Sequence, residues 1–161
     1  LSTIKKYIEY YKNTFLLHTI QRFDYSLAKQ KVSSSKPYAG DTSFLTTIAF
    51  HFTENKGKLL ENAVYLHLLK TGKELYYHQS KKECDFLTKE GRTITNAIQV
   101  CTNLDDPTTK KREIEGLAEA MNTYKLSTGT IIAMETEETI TLGEKTILVI
   151  PAWKWMLGQK N

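Results

Sequence analysis

The stretch ECDFLTKEGRTITNAIQVC, residues 83–101, predicts a β-hairpin and decides the fold class. Two runs of strand-forming residues flank residues 90–92, which we interpret as a three-residue loop because Gly91 lies at its centre. This register places Asp85 opposite Ala97 and diagonal to Gln99. The hairpin is therefore expected to bring a carboxylate close to an amide.

The same register sorts the hairpin side chains onto two faces, because side chains alternate along a strand. One face is apolar and carries Cys84, Phe86, Ile94, Ile98 and Val100. The other face carries Glu83, Asp85, Ala97, Gln99 and Cys101. A loop of two or four residues would separate Asp85 from Gln99, so the three-residue loop is the self-consistent choice.

Patterns on both sides of the hairpin predict an α/β fold. A helix is expected over residues 58–70, since Gly57 precedes it and Gly72 follows its end. A second helix should begin at Pro107, with Asp106 as its N-cap. The remaining strands are predicted at residues 74–79, 130–134, 139–142 and 146–150. This order of elements is typical of a mixed sheet covered by helices.

The N-terminal third is more polar and predicts a small linking region. Residues 2–12 have the apolar spacing of an amphipathic helix, and residues 15–20 are strand-forming. Residues 29–37 form a polar, Ser-rich stretch that predicts a loop. We therefore expect a linking region over 1–54 and a main domain over 55–161.

Composition favours a soluble, cytoplasmic protein. The chain has 161 residues, a formal net charge of +4 and enough hydrophobic residues for one core. It has no run near the ~18 consecutive apolar residues of a membrane span and no secretory leader. Its two cysteines, Cys84 and Cys101, lack Cys-x-x-Cys spacing, which excludes a zinc ribbon and favours reduced thiols.

A candidate site emerges when the helix predicted over residues 58–70 is placed beside the hairpin. Glu61 shares a helical face with Val64 and Leu68, so we expect its carboxylate to be partly buried and to need a partner. Together with Asp85 and Gln99 it forms a set of two carboxylates and one amide.

In their order and setting, Glu61, Asp85 and Gln99 resemble the motif of the PD-(D/E)XK nuclease superfamily. The resemblance implies a restriction-endonuclease-like mixed sheet flanked by helices, in which these three residues bind magnesium and serve catalysis. It also assigns the catalytic lysine to the position of Cys101, so the motif is incomplete. Lys82 is a candidate for a displaced lysine, although an exposed turn lysine is the simpler interpretation.

A second resemblance covers nearly the whole chain. The runs GKLLENAVYLHLL, KKECDFLTKEG, AIQVCTNLDDPTTKKREIEGLAEA and ILVIPAWKWML are similar to the C-terminal region of unknown function of prokaryotic AAA-type ATPases. This similarity implies that the chain is the C-terminal part of a longer protein, whose N-terminal ATPase core is its partner. The first residue, Leu1 rather than Met, favours the same interpretation. The chain lacks the G-x-x-x-x-G-K-[ST] phosphate loop, so we expect it not to bind ATP itself.

Three functions stay open at this stage. The preferred one is a non-catalytic accessory or recognition domain that binds DNA or a partner protein, because Cys101 cannot supply a cation beside an attacking water. The alternative is a Mg-dependent DNA endonuclease with a displaced lysine, and magnesium is then the one cofactor. The third is a regulatory, antitoxin-like partner binder. The side chains expected to contact DNA or a partner, if they are more than solvated charges, are Lys81, Lys82, Lys110, Lys111 and Arg112.

Overall fold

A computed structural model describes residues 2–47 and 56–158. Its helices are α1 (Ser2–Asn13), α2 (Leu27–Val32), α3 (Thr42–Thr47), α4 (Lys56–Leu69), α5 (Pro107–Tyr124) and α6 (Ala152–Met156). Its strands are β1 (Leu17–Arg22), β2 (Ser35–Ala39), β3 (Glu74–Gln79), β4 (Glu83–Glu90), β5 (Thr93–Cys101), β6 (Thr128–Ala133), β7 (Glu138–Leu142) and β8 (Lys145–Pro151). Asp106 caps α5 as predicted, since its side chain accepts a hydrogen bond from the Thr109 backbone at 2.8 Å.

The strands of the described residues form one mixed sheet in the order β2-β1-β3-β4-β5-β6-β8-β7. The centre is the antiparallel meander β3-β4-β5, and β6 and β8 continue it in parallel pairings. Helix α5 lies on one side of the sheet, and α4 and α6 lie on the other. The predicted α/β fold, a mixed sheet flanked by helices, is confirmed.

Each side of the sheet has its own apolar core. The α5 side buries Cys84, Leu87, Ala97, Cys101, Leu117, Ala120, Met121 and Ile131, among others. The α4 side buries Tyr38, Val64, Tyr65, Leu68, Phe86, Ile98 and Ile132, among others. None of the helices in residues 2–47 and 56–158 is long and apolar enough to cross a membrane.

The N-terminal region contributes strands to the same sheet. The loop predicted over residues 29–37 is wrong, because this stretch contains the end of α2 and most of β2. Pro37 and the serines suggested a loop, but β2 is an edge strand, where a residue without an N–H is tolerated. The predicted boundary near residue 54 lies outside the described residues.

The central hairpin closes with a tighter turn than its sequence predicts. Glu90 pairs with Thr93, so the loop has two residues rather than three. A β-bulge then shifts the register between Thr88 and Lys89. Gly91, with φ of 60°, supplies the left-handed conformation that such short turns require.

Gly116 allows α5 to pack closely against β4. A Cβ atom there would lie 2.3 Å from the carbonyl oxygen of Glu83, so any side chain would push α5 away from β4. We expect Gly116→Ala to lower the free energy of unfolding by about 1–3 kcal/mol, measured by urea denaturation. Helix propensity alone predicts the opposite, a gain of up to about 1 kcal/mol, so a stabilised variant would contradict the close packing.

Candidate functional site

Lys36 lies at the centre of a cluster of three carboxylates. Its Nζ atom is 2.9 Å from Oδ1 of Asp85, 2.5 Å from Oε1 of Glu83 and 3.6 Å from Oε1 of Glu61. We call these four residues the Lys36 cluster. The Lys36 side chain is 20% exposed and that of Asp85 10%, so this ion pair is largely shielded from water.

Three elements build the Lys36 cluster. Glu61 comes from α4, Glu83 and Asp85 from β4, and Lys36 from β2. Strand β1, which carries β2, pairs with β3 at only two positions, Gln21↔Tyr76 and Arg22↔Tyr77. No other residue of β1 or β2 is in register with β3. The side chains of β2 contact both α4 and β4.

Aromatic packing fixes β2 in this position. The ring of Tyr38 stacks on Tyr65 of α4 with centroids 4.3 Å apart, and it also contacts Phe86 at 5.5 Å. The Tyr38 hydroxyl donates a hydrogen bond to Oε1 of Glu61 at 2.8 Å. The Lys36 ammonium lies 5.4 Å from the centre of the Tyr77 ring. The cation is therefore held by packing as well as by charge.

The electrostatics of the cluster depend on burial and on mutual charge. Burial, and then the charge of Glu61, raise the pKa of Asp85, while Lys36 and the Val100 backbone N–H act against this rise. Burial alone would lower the pKa of Lys36, but Asp85, Glu61 and Glu83 outweigh it, and the pKa lies above its ordinary value. Lys36 is therefore a permanent cation at physiological pH.

Gln99 has a different set of partners. Its Nε2 donates to Oε2 of Glu113 on α5 at 2.5 Å, and its Oε1 accepts from the backbone N–H of Asp85 at 3.1 Å. Glu113 is buried and also accepts from the Arg112 guanidinium, at 2.6 Å from Nη2. Both the oxygen and the nitrogen of the Gln99 amide are thus hydrogen-bonded. Gln99, a residue of β5, therefore connects β4 to α5.

A second β-bulge explains why Gln99 and Asp85 separate. Tyr76 pairs with Leu87 and His78 with Cys84, so β4 advances three residues where β3 advances two. The extra residue interrupts the strict alternation of side chains in β4. The sequence gives no sign of this bulge, because neither Gly nor Pro stands near it.

Three predictions about the hairpin faces are wrong, and one of them concerns Ile94, which lies in the core beneath α5 rather than with Phe86 and Ile98. Asp85 meets Lys36 on the α4 side of the sheet, whereas Gln99 meets Glu113 on the α5 side, so the two do not share a face. Cys84 and Cys101 were expected on opposite faces, but both lie in the core beneath α5. Both thiols are free.

Cys101, at the position of the expected lysine, is an apolar packing residue. It is buried, and its Sγ donates to the backbone oxygen of Asn103 at 3.2 Å. Burial raises the pKa of this thiol, so it stays neutral at physiological pH. Lys82, the candidate for a displaced lysine, pairs with Glu115 of α5 at 2.8 Å.

Three of the five predicted cationic residues line an open cavity on the α5 side, together with two carboxylates. The cavity has a volume of about 390 Å³ and is lined by Lys81, Lys82, Glu83, Gln99, Arg112, Glu113 and Gly116. Lys111 makes a long ion pair to Glu115 at 3.9 Å, and Lys110 pairs with Glu138 at 2.6 Å and does not line the cavity. The structure thus groups three of the five predicted cations, Lys81, Lys82 and Arg112, beside Gln99.

Sequence reasoning missed Lys36 and Glu113. Lys36 is 49 residues from Asp85 along the chain, and its polar surroundings predicted a loop, so no spacing pointed to it. Glu113 had a usable signal, because it falls on the same helical face as Gly116, Leu117 and Ala120. A carboxylate on an apolar helical face needs a partner, and Gln99 with Arg112 provides it.

Comparisons with known proteins give a family and one relative. Residues 56–155 match the family described as "Domain of unknown function (DUF4143)". An uncharacterized protein of Methanocaldococcus jannaschii, MJ1544, is 34% identical over an alignment of 166 residues, gaps included, that covers 96% of this chain. The chain spans 36% of the length of that relative. No solved structure matches the chain.

Proposed function

The chain belongs to the family described as domain of unknown function (DUF4143), and we propose that it is a non-catalytic recognition domain that binds DNA. The supporting observation is the cationic cavity of about 390 Å³ beside Gln99, in which Lys81, Lys82 and Arg112 face a site whose lysine position holds a buried thiol. Ammonium and guanidinium groups around an open cavity suit phosphate oxygens. The resemblance of the chain to the C-terminal region of prokaryotic AAA-type ATPases makes an N-terminal ATPase core its proposed partner.

The rigidity of the cationic turn favours recognition. Oε1 of Glu119 accepts a hydrogen bond from the Lys82 backbone N–H at 3.2 Å, and the same oxygen lies 3.0 Å from Nε2 of His78. Glu115, one helical turn earlier, pairs with the Lys82 ammonium. The turn that carries Lys81 and Lys82 is therefore fastened to α5 before any ligand arrives, which lowers the entropic cost of binding.

The absence of a cation at the motif position weighs against catalysis. Hydrolysis of a phosphodiester needs a group that stabilises or orients the attacking hydroxide, and the neutral thiol of Cys101 provides neither charge nor a strong donor. Lys36 contacts Asp85, yet it lies on the α4 side, while the cationic cavity lies on the α5 side. Asp85 and Gln99 thus point to different sides of the sheet, although Glu83 belongs both to the Lys36 cluster and to the lining of the cavity.

A salt titration tests the proposal. We expect labelled duplex DNA to bind with an affinity that falls with salt, with a log–log slope of about −2 to −3 for two or three phosphate contacts. Lys81→Ala/Lys82→Ala should weaken binding by about tenfold or more at low salt, measured by fluorescence anisotropy. Lys70→Ala/Lys73→Ala, which removes the same charge at the opposite end of the β3–β4 hairpin, is the matched control.

The same titration, repeated with magnesium and with EDTA, separates the alternatives. Recognition predicts binding in both conditions and no cleavage. Cleavage that EDTA abolishes, and that Asp85→Ala removes from a folded protein, would replace recognition with the Mg-dependent endonuclease. Loss of binding in every condition would leave the regulatory partner binder.

A further inference from the structure

The arrangement around Lys36 does not fit a divalent cation. The resemblance to PD-(D/E)XK nucleases implies magnesium held by Glu61, Asp85 and Gln99. Mg²⁺ needs near-octahedral oxygen ligands at roughly 2.0–2.1 Å. A metal ion bound to Oδ1 of Asp85 would lie within a few ångströms of the Lys36 ammonium, which is itself 2.9 Å from that oxygen. Two cations at such a distance repel each other strongly in a partly buried site.

The expected ligand oxygens also have other partners. Oδ2 of Asp85 accepts from the Val100 backbone N–H at 3.0 Å. Oε1 of Glu61 accepts from the Tyr38 hydroxyl, and Oε1 of Gln99 accepts from the Asp85 backbone. A metal ion would have to share these oxygens with their donors, in addition to displacing the ammonium.

We infer that the Lys36 ammonium takes the place of the divalent cation, so that the chain neutralises its own nuclease-like carboxylates from strand β2. Four observations carry the inference. The ammonium contacts three carboxylates contributed by two other elements. It is four-fifths buried, its strand is fixed by the Tyr38–Tyr65 stack, and Gln99 is directed to the opposite side of the sheet.

A tethered cation has different consequences from a bound metal. A metal ion dissociates when a chelator lowers its free concentration, whereas Lys36 is covalently part of the chain and its local concentration is fixed. The fold should therefore be insensitive to EDTA. The inference concerns the α4 side of the sheet and does not depend on nucleic-acid binding by the α5 side.

Metal binding by the wild type and by Lys36→Met tests the inference. We expect no saturable Mn²⁺ binding by the wild-type chain in electron paramagnetic resonance titrations at pH 7.5. In Lys36→Met the three carboxylates lose their cation, so Mn²⁺ should bind and raise Tm by about 5 °C at millimolar concentration. Lys73→Met, which removes a lysine from an exposed ion pair with Glu90, should show neither effect.

The outcomes that would overturn the inference are specific. One is saturable Mn²⁺ binding by the wild type that Asp85→Asn removes. Another is a folded Lys36→Met that shows no Mn²⁺ binding. If Lys36→Met is unfolded, Mn²⁺ should restore its structure, and failure to do so would also count against the inference. Lys36→Arg, which keeps a cation at the site, should fold and bind no Mn²⁺.

Discussion

Replacement of Lys36 with Met should lower the free energy of unfolding by about 3–5 kcal/mol at pH 7.5, because it leaves buried carboxylate charge without its partner. Met keeps most of the length and apolar surface of the lysine stem, so the loss reports on charge. Asp85 would suffer most, since its side chain is 10% exposed and its Oδ1 accepts from Lys36 at 2.9 Å. Glu83 is less affected, because water reaches nearly half of it.

The effect should shrink as the pH falls. Burial and Glu61 raise the pKa of Asp85 to about 6 in the folded protein, and removal of Lys36 would raise this pKa further. A group whose pKa is raised by folding binds its proton more tightly in the native state, so the native state loses stability as the pH rises through that pKa. The penalty of Lys36→Met should therefore be small at pH 5 and should grow as the pH rises above 6.

Urea unfolding followed by circular dichroism at pH 5.0, 6.0 and 7.5 measures this dependence. Lys73→Met is the control, because it breaks an exposed pair with Glu90 and should change stability by less than about 1 kcal/mol at every pH. A penalty for Lys36→Met that is the same at all three values would assign it to packing of the stem. That result would contradict the electrostatic account.

The hairpin shows how far sequence reasoning reaches. Both strands and the Gly91 turn are where the pattern predicts them, and the shared apolar placement of Phe86 and Ile98 is confirmed. The turn has one residue fewer than predicted, and the bulge beside Thr88 moves the register by a further residue in the same direction, so that Leu87 rather than Asp85 pairs with Ala97. A shift of two residues keeps the alternation of side chains along the middle of the hairpin, but the predicted pairing partners there are wrong.

The same reasoning fails next to the site. The bulge opposite Tyr77 turns Asp85 and Gln99 to different sides of the sheet, and it arises from pairing with β3, which local sequence does not encode. Sequence reasoning misses Lys36 for a related reason, because its contact with Asp85 joins strands whose residues are 49 positions apart in the chain. The prediction for Glu61 is more accurate, because it rests on helical periodicity, which is a property of the local sequence. Its predicted partial burial is confirmed at 25% exposure, and Tyr38 and Lys36 satisfy its need for a partner.

Phe86→Ala should lower the free energy of unfolding by about 3–5 kcal/mol and also loosen β2 from the sheet. Phe86 is fully buried, directly follows Asp85, and contacts both the Tyr38 ring and the Tyr65 ring on which Tyr38 stacks. Removal of the phenyl ring leaves a cavity under Tyr38. The strand that carries Lys36 would then lose part of its support while its ion pairs stay unchanged.

Amide hydrogen exchange at Ala39 distinguishes this local effect from a general loss of stability. The Ala39 N–H donates to Oδ1 of Asn62 at 2.8 Å and so reports on the attachment of β2 to α4. Leu117→Ala is the matched control, because Leu117 is equally buried but lies in the core beneath α5. In Phe86→Ala, exchange at Ala39 should accelerate by about tenfold more than in Leu117→Ala at equal global stability. Equal acceleration in both variants would mean that β2 opens only when the whole domain unfolds, and that Lys36 is fixed by its charges rather than by the aromatic stack.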